Sequence, residues 1–213
     1  MRFFSRTGSV GQRFTATNVL NLLDDQLILI LRAWGSSEYN QRFTDEVTHY
    51  LSSTQADLEV TTPFDYQENL SALANRTRTS LLLAHDLFYK TENKNEYTVG
   101  FEATVLFKSK NELAWSSVGR FAIEKVIDKT LCTFVKNGSD LDTEILLPAQ
   151  LVGVEREIDI SSGSMVLNAE DKVIISSTYK CDIKVNNNAK SVDSLIDVEN
   201  SNGVYWFSVI TSE

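Results

Sequence analysis

Side chains with chemistry in them are few and scattered along this chain, which holds 2 His and 2 Cys. His49 and His85 fall on two stretches of helical spacing, and each reads as a surface or partly buried helix residue. A serine hydrolase built on the exposed Gly-x-Ser-x-Gly turn is not encoded, and Gly119 and Gly153 stand too far apart for a glycine-rich phosphate loop. Cys132 and Cys181 have no metal-type spacing and cannot make a disulfide framework. Cys132 lies in the apolar stretch 131–135 and is expected in the core, away from the exposed, low-pKa setting a redox thiol needs. Hard metal ions need converging carboxylates. Asp24 with Asp25 is one candidate pair and Asp140 with Asp142 another, the first reading as a hairpin turn and the second as a polar loop. Asn69, Asn75 and Asn137 begin glycosylation sequons, which matter only in a secreted chain.

The elements that would position these residues follow from hydrophobic periodicity. Residues 19–23 and 27–31 are apolar runs around the polar Asp24-Asp25-Gln26, an antiparallel hairpin pattern. Helical spacing of Phe43, Val47, Tyr50 and Leu51 predicts a helix over 36–53, capped by Ser36 or Ser37. A loop over 54–63 leads to a longer helix over 65–90, with Leu70, Leu73, Ala74, Thr77, Leu81, Ala84 and Phe88 on its apolar stripe. From 97 the pattern becomes β-rich. Strands are expected over 97–108, 112–118, 121–127 and 131–135, joined by links so short that they imply an antiparallel meander. Further strands are expected at 164–167, 172–176 and 204–211, with a polar loop at 186–188. Strands, two helices, then strands is an α+β order. Leu29, Ile30, Leu81, Phe88, Leu106, Val118, Val173, Ile174 and Phe207 are the expected core.

Composition narrows the function classes. The chain has 213 residues, 42% hydrophobic and 23% charged, which is globular rather than disordered. Its formal net charge is −9, and the nearest approach to a basic cluster is Lys108 to Lys110, so no nucleic-acid face is expected. The same acidity would repel an anionic membrane surface. The longest apolar run, 27–31, is far short of a membrane span, and no signal-like stretch follows Met1. The expectation is a cytoplasmic protein.

The order of segments resembles the metal-dependent protein phosphatases (protein phosphatase 2C, PPM type), over about residues 5 to 211. That family opens with Arg-x-x-Asn-Glu-Asp, and here Arg13 leads to Asn18 at the acidic position. Its next motif is an apolar strand ending in Asp-Gly-x-Gly-Gly. Here 28–31 is followed by Arg32-Ala33-Trp34-Gly35, with Arg32 at the metal-binding Asp and Gly35 kept. Two helices follow, then a loose match to a Gly-Thr-Thr strand at 100–104. A Gly-Asp-Ser-Arg motif corresponds to Gly119-Arg120-Phe121-Ala122. The stretch 151–153 matches a leucine-glycine segment. Asp171 and Ser176 match the later Gly-Asp, apolar, Ser-Asp-Gly motif, whose metal-binding Asp is Ser177 here. The final Asp-Asn corresponds to Asn202-Gly203. The interval from Ser177 to Asn202 is short for the family, which carries a helical insertion there.

The resemblance implies one domain over 1–213, an antiparallel β-sandwich flanked by helices in four αββα layers. It also implies Mn or Mg ions held by aspartates, lowering the pKa of a bridging water that attacks phosphate. Here the four aligned positions are Asn18, Arg32, Ser177 and Asn202. Hard cations need anionic oxygens, and a guanidinium occupies the cation's own place. The expectation is therefore a pseudophosphatase with no metal and no cofactor, acting as a protein-binding or regulatory module. The alternative is a divergent metal-dependent serine/threonine phosphatase hydrolysing phosphoprotein with other carboxylates such as Asp24 or Asp25. Arg13, Arg32 and Arg120 are candidate anion-binding residues at the former catalytic edge. If Arg32 is buried it needs a carboxylate, with Asp24, Asp25 and Glu38 as candidates, or a site open to water and anions.

Overall fold

A strand apolar at every position must be covered on both faces, and residues 27–31 meet that condition: Leu27, Ile28, Leu29, Ile30 and Leu31 are all fully buried. The computed structural model describes residues 1–9, 16–56, 63–128, 130–136, 150–179, 181–186, 189, 191, 192, 194–199 and 203–211. Twelve strands and two α-helices are named: β1 (Arg2–Ser9), β2 (Asn18–Leu22), β3 (Leu27–Gly35), α1 (Asn40–Ala56), α2 (Ala72–Lys90), β4 (Val99–Ser109), β5 (Glu112–Val118), β6 (Ala122–Ile127), β7 (Thr130–Lys136), β8 (Ser161–Val166), β9 (Lys172–Tyr179), β10 (Asp182–Val185), β11 (Ile196–Glu199) and β12 (Val204–Thr211).

The chain divides into two compact units. The helix-bearing unit comprises Thr15–Gly119 and Ala149–Val166, with an antiparallel sheet in the order β2-β3-β4-β5-β8. Alternation assigns its faces. Leu27, Leu29, Leu31 and Ala33 of β3, with Val99, Phe101, Ala103, Val105 and Phe107 of β4, join one core with Phe43, Val47 and Leu51 of α1 and Leu81, Ala84 and Phe88 of α2. Phe101 sits at its centre, its ring 4.6 Å from Phe43 and 4.9 Å from Phe88. The even-numbered residues of β3 and β4, Arg32 and Glu102 among them, take the opposite face. The hairpin from β2 to β3 forms as expected, and Leu23, Asp24 and Asp25 all have positive φ, so the acidic pair makes the turn. Gly35 ends β3 at φ +116°, where a Cβ would meet the Thr98 carbonyl oxygen at 2.4 Å.

The other unit comprises Met1–Phe14, Arg120–Pro148 and Leu167–Glu213, with an antiparallel sheet in the order β1-β12-β9-β6-β7 and the separate hairpin β10-β11. Ile174, Phe207 and Val209 form its core with Leu195 and Ile196 beside the hairpin.

Cys132 apart, the expected core residues are all buried. Four local expectations are corrected. The second helix begins at Ala72, because Ser71 caps it by accepting from the Ala74 N–H at 3.1 Å. The Asn75 side chain then holds the preceding segment open by bonding both the N–H and the carbonyl of Gln67, each at 2.9 Å. The strands over 99–136 are not one meander. β5 pairs with β4 and β8, while β6 pairs with β7 and β9, because the chain changes sheets after Gly119 at φ +100°. Cys132 is half-buried rather than core, since β7 is an edge strand covered on one side only. The segment after β9 carries a hairpin that hydrophobic patterning missed, as β10 and β11 are only four residues each.

Deleting the Leu29 side chain tests the two-sided burial of β3. Leu29→Ala should cost about 2 to 5 kcal/mol in denaturant unfolding, whereas a loss under about 0.5 kcal/mol would mean a surface position.

Candidate functional site

Arg32 is a lone cation in an apolar strand, and a guanidinium cannot be left unpaired in such a place. The register of β3 on β4 puts Glu102 directly across from it. Arg32 Nη1 donates to Glu102 Oε2 at 2.9 Å, and both side chains are 1% exposed. Trp34, two residues along the same face, donates its Nε1–H to the same oxygen at 2.9 Å. The other side of the guanidinium donates from Nε and Nη2 to Thr17 Oγ1, at 3.2 and 3.0 Å. The result is a planar cation with donors used on both sides and a carboxylate receiving two charge- or dipole-bearing donors.

Gly119 makes room for this arrangement. A Cβ there would lie 2.5 Å from Glu102 Cγ and 2.8 Å from its Oε1. The glycine that matches the phosphatase motif therefore serves two needs, a left-handed backbone and close approach of the Glu102 side chain.

Each sequence-predicted position has a definite place or lies outside the described residues. Arg32 finds its carboxylate in Glu102, not in Asp24, Asp25 or Glu38, because strand pairing brings a residue from 70 positions away closer than the turn can reach. Its guanidinium is enclosed by that pairing. Asn18 starts β2 and pairs with Leu31, whose side chain faces the helices. It thus lies on the face opposite Arg32, and Thr17 is the residue of that segment that reaches the guanidinium. Ser177 is buried on β9 across from Trp206 in the other unit. Arg120 is half-buried in that same unit. Arg13, Asn202, Asn137, Asp140 and Asp142 lie outside the described residues, as do positions 187 and 188 of the polar loop. His49 is exposed, whereas His85 is buried at 6% exposure and its Nδ1 accepts from the Gly153 N–H at 3.0 Å. Burial holds the His85 imidazole below its ordinary pKa; the backbone around Arg156 and the Asp86 carboxylate pull the other way without reversing it. Asn75 is buried with its amide spent on backbone, so that sequon is unavailable as it stands.

The donor set at the aligned positions does not fit a hard divalent cation. In the helix-bearing unit the guanidinium of Arg32 is paired and the amide of Asn18 lies on the other face of the sheet, and neither is an anionic oxygen. Among the described residues no three His, Cys, Asp or Glu side chains are grouped to hold a metal ion. No helix of the described residues is long and apolar enough to cross a membrane.

No protein-family model matches the sequence, and no curated protein matches it either. Solved structures do match in fold. The Mycobacterium tuberculosis serine/threonine phosphatase PstP/Ppp superposes with a TM-score of 0.64 at 11% identity, over 100% of this chain and 98% of that one. PppA of Pseudomonas aeruginosa, a key regulatory component of T6SS, superposes with a TM-score of 0.60 at 13% identity, over 99% and 97%. The catalytic domain of PstP in complex with 2 manganese ions gives 0.56 at 12% identity, over 100% and 98%. The chain has the α+β fold of the PPM-type serine/threonine phosphatases. At such identities the likeness concerns the fold alone.

Glu102 was not singled out in the sequence as the partner of Arg32, though a signal exists: it is the one acid within the otherwise uncharged stretch 97–107, and Arg32 is the one base within 27–37. Two lone opposite charges in neighbouring apolar strands have little choice but each other.

Removing one partner should be worse than removing both. Arg32→Met strands a buried carboxylate and should lower unfolding free energy by about 3 to 5 kcal/mol. Arg32→Met with Glu102→Met should recover much of that, the remainder being about 1 to 3 kcal/mol for the orphaned Trp34 N–H. Equal losses in chemical denaturation would show that the two side chains are not coupled.

The His85 shift has a definite sign. The unfolded chain protonates this imidazole near its ordinary value and the folded one does so lower, so stability is full above about pH 6.5. It is lost as pH falls from there through the folded pKa. His85→Gln keeps an acceptor for the Gly153 N–H but cannot titrate, and it should flatten the fall in unfolding free energy between about pH 7 and 5. An unchanged slope would place that acid sensitivity elsewhere.

Proposed function

We propose that this chain is a phosphatase-fold domain without metal-dependent catalysis, acting as a protein-interaction or regulatory module. The observation that supports this most is the Arg32–Glu102 pair. The resemblance assigns the Arg32 position to a metal-binding aspartate, and here that position supplies a positive charge, enclosed and already neutralised. A divalent ion brought to it would meet Coulomb repulsion from the guanidinium. It would also have to take Glu102 away from two donors, Arg32 and Trp34. Nor does the amide of Asn18 supply the anionic oxygen that lowers a bound water's pKa.

Metal-dependent hydrolysis also needs several ligands at once, so a single restored acid does not rebuild the site. The partner class is protein, because the net charge of −9 disfavours nucleic acid and anionic membrane alike. The competing reading, a divergent serine/threonine phosphatase acting on phosphoprotein, is favoured by the solved neighbours, which are phosphatases and include one with manganese.

Turnover of an aryl phosphate and of a phosphothreonine peptide with millimolar manganese separates the two. The expected result is a rate equal to that without protein, for the natural chain and for Arg32→Asp alike. Calorimetric titration with manganese or magnesium should show no saturable binding below the millimolar range. Manganese-dependent turnover would establish the enzyme instead, and a tight metal site removed by Asp24→Asn or Asp25→Asn would overturn the metal-free reading.

A further inference from the structure

In the helix-bearing unit the segment 150–158 is fastened to its surroundings at several points. Val152 and Phe101 exchange both backbone hydrogen bonds, at 2.8 and 3.1 Å. The Gly153 carbonyl accepts from Asn93 Nδ2 at 2.6 Å, and its N–H donates to His85 Nδ1 at 3.0 Å. Gly153 also lies hard against α2, where a Cβ would meet Phe88 Cβ at 2.6 Å. Gln150 Oε1 accepts from the Asp159 N–H at 3.0 Å. Between this segment and α2 is a cleft of about 420 Å³. A wall tied at so many points keeps the cleft formed in advance, and its volume is that of a small-molecule site.

His85 is part of the lining, and only one side of its ring is spent. Nδ1 accepts from Gly153, so the neutral ring carries its proton on Nε2. The carbonyls of Glu155 and Arg156 lie near the ring, yet neither is placed to accept, and Nε2 is buried with no hydrogen-bond partner. A buried N–H left in this way favours a ligand that brings an acceptor. The rest of the lining sets the ligand's other properties. Phe64, Leu82 and Ile158 are apolar. The Tyr89 ring is parallel to that of His85, within 4° at 6.0 Å between centroids, so a flat molecule can lie along both. The charges cancel: Asp86 is ion-paired with Lys90 at 2.7 Å, and Arg156 is offset by Glu157 beside it in the chain. No net charge remains to hold an ionic ligand. A cavity of roughly 150 Å³ holds one benzene ring, so this larger space admits two fused rings.

We propose that this cleft binds a small, flat, uncharged bicyclic molecule whose acceptor, a ring nitrogen or a carbonyl oxygen, takes the hydrogen bond of His85 Nε2–H. The walls come from α2, Phe64 and the segment 150–158, and α2 covers the face of the sheet opposite Arg32. The cleft needs no metal and no statement about catalysis, so this inference and the role proposed above can fail separately.

The probes are quinoline, which is uncharged at neutral pH and has a ring-nitrogen acceptor, indole, which is uncharged and has only a donor, and N-methylquinolinium, which keeps the shape but is charged and has no acceptor. Each is titrated into the full chain and followed by proton–nitrogen NMR of the amides and of the imidazole nitrogens. Quinoline should saturate in the millimolar range, with its largest amide shifts in α2 and 150–158, and should move the Nε2 resonance of His85. Indole and N-methylquinolinium should bind about tenfold more weakly, the worth of one hydrogen bond, and should leave that resonance in place. Tyr89→Ala removes half of the flat wall at a half-buried position and should weaken quinoline by a similar factor, with the His85–Gly153 contact retained in the amide spectrum. Equal affinity for quinoline and indole, preference for the quinolinium ion, an unmoved Nε2 resonance at saturation, shifts centred elsewhere, or no saturation in the millimolar range would each overturn the proposal.

Discussion

The buried ion pair between Arg32 and Glu102 constrains the sheet around it more tightly than any apolar contact does. Apolar side chains on β3 and β4 can exchange neighbours at a cost of packing, but each of these charges meets its opposite directly across the strand pair. A one-residue slip would put Arg32 opposite Phe101 or Ala103 and would turn its side chain to the wrong face. Two ions would then be buried unpaired, a penalty of several kcal/mol each. The pair does not have to add net stability to act this way. It raises the energy of the alternatives.

The fold and the ion pair make separate demands on the sequence. The fold depends on backbone geometry, and the glycines that match the family's motifs sit where that geometry is demanding. Gly35 turns the chain out of β3 against the Thr98 carbonyl, and Gly119 carries it from one sheet to the other while Glu102 packs against its missing side chain. Metal chemistry depends on a set of anionic oxygens. Backbone demands can persist while the ligands change, because a Gly is needed by sterics whether or not an ion is bound nearby. A guanidinium buried on this strand needs a carboxylate to balance it, and Glu102 is that residue.

Much of this was written in the linear order of residues. The continuous apolar run 27–31 meant burial on both faces, the 3.6-residue spacing from Leu70 to Phe88 meant a helix packed along one stripe, and Asp24-Asp25 between two apolar runs meant a turn. Each is a local property, since propensity and periodicity act within one or two turns of the chain. The family resemblance in segment order also depended only on sequence, and the fold it implied is the fold observed. What the sequence could not contain was pairing. Which strands share a sheet, that β5 and β6 part company after Gly119, that Asn18 faces away from Arg32 while Thr17 reaches it, and that Glu102 rather than the nearer Asp24 or Asp25 answers the guanidinium are all set by register between distant segments. Register is a tertiary quantity: a side chain's face is fixed only once its strand has a neighbour, and burial then leaves a lone charge no choice of partner but the one that strand carries.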